Sequence, residues 1–181
     1  MTFRNLVIEG CRLSSRARVT GLIEASSCSS DRANLRRIRL QNVEFSRNRN
    51  FGGAVGVVVQ DVSCYRVVMQ DVQFRSNQHS SSCRLSSINE MRNVSFIENK
   101  PSRSRQERAL INLPLESNTT ITDLLARDNR CSLLRVRGGQ INVSDSLFFR
   151  NHGNEHGTIV ATGADVSIST DRKSTRLNSS H

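Results

Sequence analysis

Tryptophan is absent from this 181-residue chain, tyrosine occurs once, proline and lysine twice each, and no apolar run approaches the roughly 20 residues that span a bilayer. Two prolines and ten glycines exclude a collagen-like or low-complexity chain. Five cysteines at this length exclude a disulfide-dense miniprotein. Met1 to Gly10 carries neither a basic leader nor an apolar stretch of signal-peptide length, so no targeting segment is read there. Helical periodicity is missing as well, because no segment sustains apolar spacings of three and four over ten or more residues. What remains is 36% hydrophobic and 23% charged, which fits one soluble domain with a sizeable core.

The formal charge of +10 is almost entirely arginine. Asp171 to His181 (Asp-Arg-Lys-Ser-Thr-Arg-Leu-Asn-Ser-Ser-His) reads codon for codon as an in-frame translation of a common short-read sequencing adapter. We therefore treat residues 171–181 as a non-native tail, expected to be disordered, and residues 1–170 as a fragment of a longer chain. The tail holds three cations against one carboxylate, so excluding it lowers the charge to +8 and leaves Lys100 as the sole lysine. The arginines are scattered (Arg36, Arg37, Arg39, Arg47, Arg49, Arg66, Arg75, Arg84, Arg92) rather than gathered on one basic element with interleaved aromatics. That distribution disfavours nucleic acid as a partner. An arginine bias does suit acidic polysaccharide, whose anions the guanidinium fork grips, and it suits a GC-rich coding sequence equally.

An internal repeat carries the most information. Phe-x-x-Asn occurs at Phe45 to Asn48, Phe74 to Asn77, Phe96 to Asn99 and Phe148 to Asn151, with degenerate copies at Ala126 to Asn129 and Leu13 to Arg16. Counting back three, five, eight and ten residues from each anchor gives Phe45, Val43, Leu40 and Ile38 in one copy, and Phe74, Val72, Met69 and Val67 in the next. Across six copies, 21 of 24 such slots are apolar, where the overall composition would place about nine. The exceptions are Asn89, Thr119 and Ser146. Steps of two within each half are the period of a strand with one buried face, and the central step of three marks a bend. The sequence thus predicts two short strands meeting at a corner in every copy.

Anchors at 16, 48, 77, 99, 129 and 151 give steps of 32, 29, 22, 30 and 22 residues. A minimum near 22 with longer insertions suits a stacked coil whose excess residues bulge outward, at Ser26 to Ala33, Gln60 to Tyr65 and Lys100 to Glu107. Further apolar segments follow the anchors at Thr20 to Ile23, Ala54 to Val59, Ala109 to Leu113, Ser132 to Val136 and Thr158 to Val160, so the coil has at least three faces. The fold class is all-β. Turns stacked about 4.8 Å apart would align Phe45, Phe74, Phe96 and Phe148 inside, and Asn48, Asn77, Asn99, Asn129 and Asn151 in a ladder at the next corner. Asn is expected there because it tolerates a left-handed backbone and its amide pairs with the copies above and below.

This constellation resembles the right-handed, single-stranded parallel β-helix of the pectate-lyase-like superfamily. It is similar, more narrowly, to the repeat of chlamydial polymorphic outer-membrane proteins, which pairs Phe-x-x-Asn with Gly-Gly-Ala-(Ile/Leu/Val). Phe45 to Asn48 followed by Gly52-Gly53-Ala54-Val55 is the one complete copy of that pair; the sixth copy keeps at most Gly157-Thr158-Ile159. The resemblance covers roughly residues 5 to 170. It implies about six turns and a partial seventh beginning at Val166 and Ile168, on an extracellular or cell-surface protein. The function expected from it is a non-catalytic structural or adhesive module that contacts acidic polysaccharide or other surface glycans and the remaining turns of its own chain. The alternative is the scaffold of a polysaccharide lyase or glycoside hydrolase.

Catalytic signatures are sparse. His152-Gly153-Asn154-Glu155-His156 matches His-x-x-Glu-His, but glycines lie in and beside it and no helical period surrounds it, so it reads as an exposed loop rather than a zinc site. Asp61, Asp71, Asp123 and Asp145 form no adjacent pair, and Gly-His-Gly does not occur. No cofactor or metal is implied. Cys11 falls in an inward slot; Cys28, Cys64, Cys83 and Cys131 lie in or near loops and could form two bridges in a secreted chain. Asn93, Asn118 and Asn142 are glycosylation acceptors by sequence, meaningful only in a eukaryotic secretory pathway.

Overall fold

A computed structural model describes residues 1–13, 21–25, 36–54, 56–59, 65–81, 83–85, 88–101, 109–114, 117–152 and 159–169. Every paired strand in it is parallel to its neighbours, and the strands form three sheets. In the first sheet β1 (Thr2–Glu9), β4 (Arg36–Ser46), β7 (Tyr65–Arg75), β10 (Ile88–Ile97), β13 (Ser117–Arg127), β15 (Gly139–Ser144) and β18 (Ala164–Ser169) lie in sequence order, and β16 (Leu147–Phe149) also pairs with β13. The second holds β2 (Arg12–Leu13), β5 (Arg49–Ala54), β8 (Gln78–Ser81) and β11 (Lys100–Pro101). The third holds β3 (Ile23–Ala25), β6 (Val57–Val59), β9 (Cys83–Arg84), β12 (Ala109–Asn112), β14 (Ser132–Val136) and β17 (Ile159–Ala161). Because the chain visits the sheets repeatedly in the same order, each strand stacks on its counterpart from the preceding circuit. The result is a solenoid-like, all-β fold.

Register explains the 2-3-2 spacing. Val43 faces Val72 and Phe45 faces Phe74, while Leu40 faces Met69 on the other side of a break in the ladder. At that break sits one residue in the left-handed region: Asn42 (φ 53°), Asp71 (φ 55°), Asn93 (φ 51°) and Asp123 (φ 56°) in successive strands, with Asn5 and Asp145 equivalent. A left-handed residue reverses the inward-outward alternation once, so both halves of the strand point apolar side chains to the same interior. Asn and Asp fill every such position because they tolerate this backbone best after glycine. Asn42 Nδ2 donates to Asn5 Oδ1 at 2.9 Å, and Asn93 Nδ2 to Asp71 Oδ1 at 2.7 Å, linking neighbouring bends.

Two sequence expectations need correction. The first copy is anchored on Cys11, not Arg16: Ile8 pairs with Phe45 and Leu6 with Val43, and the Cys11 amide donates to Asn48 Oδ1 at 2.9 Å. Met1, Phe3, Leu6 and Ile8 carry the same 2-3-2 apolar spacing as Leu6, Ile8, Cys11 and Leu13, so the apolar pattern alone fits both registers. Asn5 at the bend and Gly10 (φ 68°) before the anchor select the first. Second, the anchor asparagines do not take the left-handed backbone; the preceding residues do, at Arg47, Ser76, Glu98, Asp128 and Arg150. That leaves each Asn amide aimed along the stack. Cys131 sits in the bend between β13 and β14, near a loop as the sequence suggests, with its side chain buried in the core.

The interior is a continuous apolar column in which Phe45, Phe74 and Phe96 are fully buried. Their rings stack at 4.9 and 4.8 Å with interplanar angles of 2° and 5°. Phe148 is half-buried and faces Ala126, which separates it from Phe96. The polar exceptions are accommodated by each other. Buried Asn89 donates to Thr119 Oγ1 at 2.9 Å, and Thr119 shares a 2.9 Å hydrogen bond with Ser117. Ser146 accepts the Leu124 amide at 3.2 Å and donates to Ser144 O at 2.7 Å, bridging the interval between β15 and β16.

Candidate functional site

Two kinds of repeated row result from the register, one turned inward and one outward. The inward row at the corner after the first sheet is the asparagine ladder. Asn48, Asn77, Asn99 and Asn129 are at most 1% exposed. Asn77 Nδ2 donates to Phe45 O at 2.8 Å and to Asn99 Oδ1 at 3.1 Å, while Asn99 Oδ1 also accepts the Asn77 amide at 3.1 Å. Asn99 repeats the pattern on Phe74 O and Asn129, and Asn129 on Phe96 O and Asn151. Both amide donors and both carbonyl lone pairs of an interior Asn are thereby used. Aspartate lacks the donors, and glutamine would displace the amide by a methylene. An interior Asn of the ladder therefore has no amide donor or acceptor left to offer a ligand.

The outward rows carry what recognition the fold can provide. On the first sheet Thr2, Arg39, Val68, Glu90, Thr120 and Asn142 align in one row, and Arg4, Gln41, Gln70, Arg92, Thr122 and Ser144 in another. Between β7, β10 and β13 this face dips into an open depression of about 550 Å³ bordered by Arg66, Glu90, Arg92, Asn118, Thr120 and Asp123. Arg66 Nη2 and Glu90 Oε2 form an ion pair across it at 2.9 Å, both half exposed. Such an open depression exposes amide, hydroxyl and charged groups to solvent rather than enclosing a small molecule.

The other candidate residues are dispersed. Asp71, Asp123 and Asp145 are bend residues stacked along one corner, and Asp61 lies outside the described residues. His152 is exposed at the end of the asparagine corner; residues 153–158, with the rest of the His-x-x-Glu-His segment, lie outside the described residues. Among the described residues no group of three or more His, Cys, Asp or Glu side chains could hold a metal ion. Asn93, Asn118 and Asn142 are exposed on the first sheet, where Asn93 already pairs with Asp71. Cys28, Cys64, the insertions at 26–33, 60–64 and 102–107, and the tail 171–181 also lie outside the described residues.

Cys11 and Cys131 are free thiols. Burial pushes the Cys131 thiol up from 9.0 to about 12. A thiol whose folded pKa exceeds its unfolded one holds its proton longer in the native state, so its stabilising contribution is complete below about pH 9 and declines above it. The unfolding free energy should therefore fall by roughly 1 kcal/mol per pH unit between pH 9 and 11 on this account. Denaturant titrations at those pH values should show a shallower slope for Cys131→Ala than for the parent; equal slopes would contradict the assignment.

No helix among the described residues is long and apolar enough to cross a membrane. Comparison with family models, with curated proteins and with solved structures finds no match to this chain.

Proposed function

We propose that the chain forms about six turns and part of a seventh of a right-handed parallel β-helix of the pectate-lyase-like kind, and that it acts as a non-catalytic structural or adhesive module at a cell surface. Right-handed coiling is supported by the general chirality of parallel crossovers, which follows from the twist of the strands. The six phased anchors at 11, 48, 77, 99, 129 and 151 support the turn count.

The observation that carries the functional reading is the repetition of outward rows along the stack, one of which, Arg4, Gln41, Gln70, Arg92, Thr122 and Ser144, offers a polar side chain at every interval on one line. A long ligand with its own short repeat, such as a linear surface glycan, can satisfy successive positions together, each weak contact raising the effective concentration for the next. Titration of the protein against immobilised linear glycans, with parallel assay for unsaturated and reducing sugar ends, tests this. Binding without cleavage is expected. Release of sugar ends would overturn it in favour of a polysaccharide lyase or glycoside hydrolase.

A further inference from the structure

We propose that the corner immediately following the asparagine ladder is a docking strip for a linear polyanionic glycan, built from Arg12, Arg49, Lys100 and Arg130. The inference rests on the glycan-contacting reading above and names the face and the charge chemistry that would serve it.

The strip is created by register. Arg12 pairs with Arg49, Arg49 with Gln78 and Gln78 with Lys100. The amide of Arg130 donates to Asn99 O at 2.9 Å and that of His152 to Asn129 O at 2.8 Å, the same bond by which Lys100 joins Asn77 and Gln78 joins Asn48. Arg12, Arg49, Gln78, Lys100, Arg130 and His152 therefore occupy one line, a single residue from each successive circuit. Five steps of about 4.8 Å make that line roughly 24 Å long. All but Gln78 are exposed.

The neighbouring outward line shows why this one is different. There Arg47 pairs with Glu9, Ser76 donates to Glu98 at 2.9 Å, and Arg150 pairs with Asp128 at 2.8 Å while Arg127 reaches the same carboxylate at 3.3 Å. That line neutralises itself. The side chains of Arg12, Arg49, Lys100 and Arg130 have no ion-pair or hydrogen-bond partner among the described residues. Arg12 and Arg49, and likewise Lys100 and Arg130, stand one strand spacing apart along the line, so their like charges repel, and the repulsion is relieved when an anion bridges each pair.

An extended chain of acidic sugars presents one carboxylate or sulfate at intervals close to the spacing of the strip, and a guanidinium grips either through two parallel N–H bonds. Single-stranded nucleic acid fits less well, because its binding surfaces interleave aromatic platforms with the charges, whereas this line has no Phe, Tyr or Trp and its one imidazole, His152, stands at the end rather than between the cations.

The test uses the whole chain and its Arg49→Gln/Arg130→Gln double variant. Polygalacturonate probes carboxylated glycans, heparin probes sulfated ones and oligo-dT probes nucleic acid, each titrated across a salt series. The control is Arg36→Gln/Arg137→Gln, which removes the same charge from exposed positions at the opposite end of the first-sheet strands. The parent should bind one of the two glycans with affinity that falls as salt rises. The strip variant should bind it at least tenfold more weakly with a flatter salt dependence, while the control binds within twofold of the parent, and both should keep the parent's melting profile. Equal loss in both variants, or tightest parental binding to oligo-dT, would overturn the strip. Salt-insensitive binding of neutral glycans, retained by both variants, would overturn the strip while leaving the adhesive reading standing. Failure of the parent to bind any glycan would remove that reading as well.

Discussion

Replacing Phe74 by alanine lowers the unfolding free energy by about 3 to 5 kcal/mol, because the neighbouring rings cannot close the void. Phe45 and Phe96 are held on either side by strand registers that fix their separation, at 4.9 and 4.8 Å from the Phe74 ring. Backbone hydrogen bonds prevent the two circuits from approaching, so the cavity persists and the ring contacts are lost with it. Phe148→Ala provides the internal comparison. It occupies the same slot, but its ring is only half-buried and faces Ala126, so its truncation should cost less than half as much. Equal shifts in denaturation midpoint for the two variants would show that the stack contributes nothing special.

Asn99→Ala should cost a similar amount for a different reason. Its side chain accepts from the Asn77 amide at 3.1 Å and the Asn77 side chain at 3.1 Å, and donates to Phe74 O at 2.9 Å and Asn129 Oδ1 at 3.0 Å. Alanine strands buried partners at about 1 to 3 kcal/mol for each group left wholly unsatisfied, and because Asn77 Nδ2 still reaches Phe45 O and Asn129 Oδ1 still accepts the residue 99 amide, a total of about 3 to 5 kcal/mol is expected. Asn99→Asp separates hydrogen bonding from shape. It keeps the acceptors, loses both donors and sets a carboxylate against two carbonyl oxygens. Its deficit relative to the parent should shrink on acidification, as the buried carboxyl takes up a proton and regains one donor. A deficit independent of pH would show that the ladder acts by packing alone.

Much of the architecture is legible in the chain because the repeat is written twice, in apolar spacing and in Phe-x-x-Asn. Alternation of two predicts strands, the step of three predicts a bend, and the apolar segment Ser132 to Val136 has the same bounds as its strand in the third sheet. A second repeat signal also lies in the sequence. An Asn or Asp stands six residues before every anchor, at Asn5, Asn42, Asp71, Asn93, Asp123 and Asp145, and would have settled the first register. Apolar spacing could not, since Leu6 and Ile8 fit both halves of the motif.

Local sequence therefore determined which residues form strands, where each strand bends and which face is apolar, because those properties depend on neighbours only a few positions away. Which circuit lies against which, and hence which side chains become partners, was decided by tertiary stacking. Ala126 interrupts the phenylalanine column only because it falls between Phe96 and Phe148 in space. Asn89 and Thr119, each a polar blemish in its own strand, satisfy one another only across the stack. The basic line is the clearest case. Arg12, Arg49, Lys100 and Arg130 are separated by 37, 51 and 30 residues, so along the chain they look dispersed. Insertions of unequal length are absorbed outside the strands, and hydrogen-bonded register restores one constant spacing that the linear sequence does not contain.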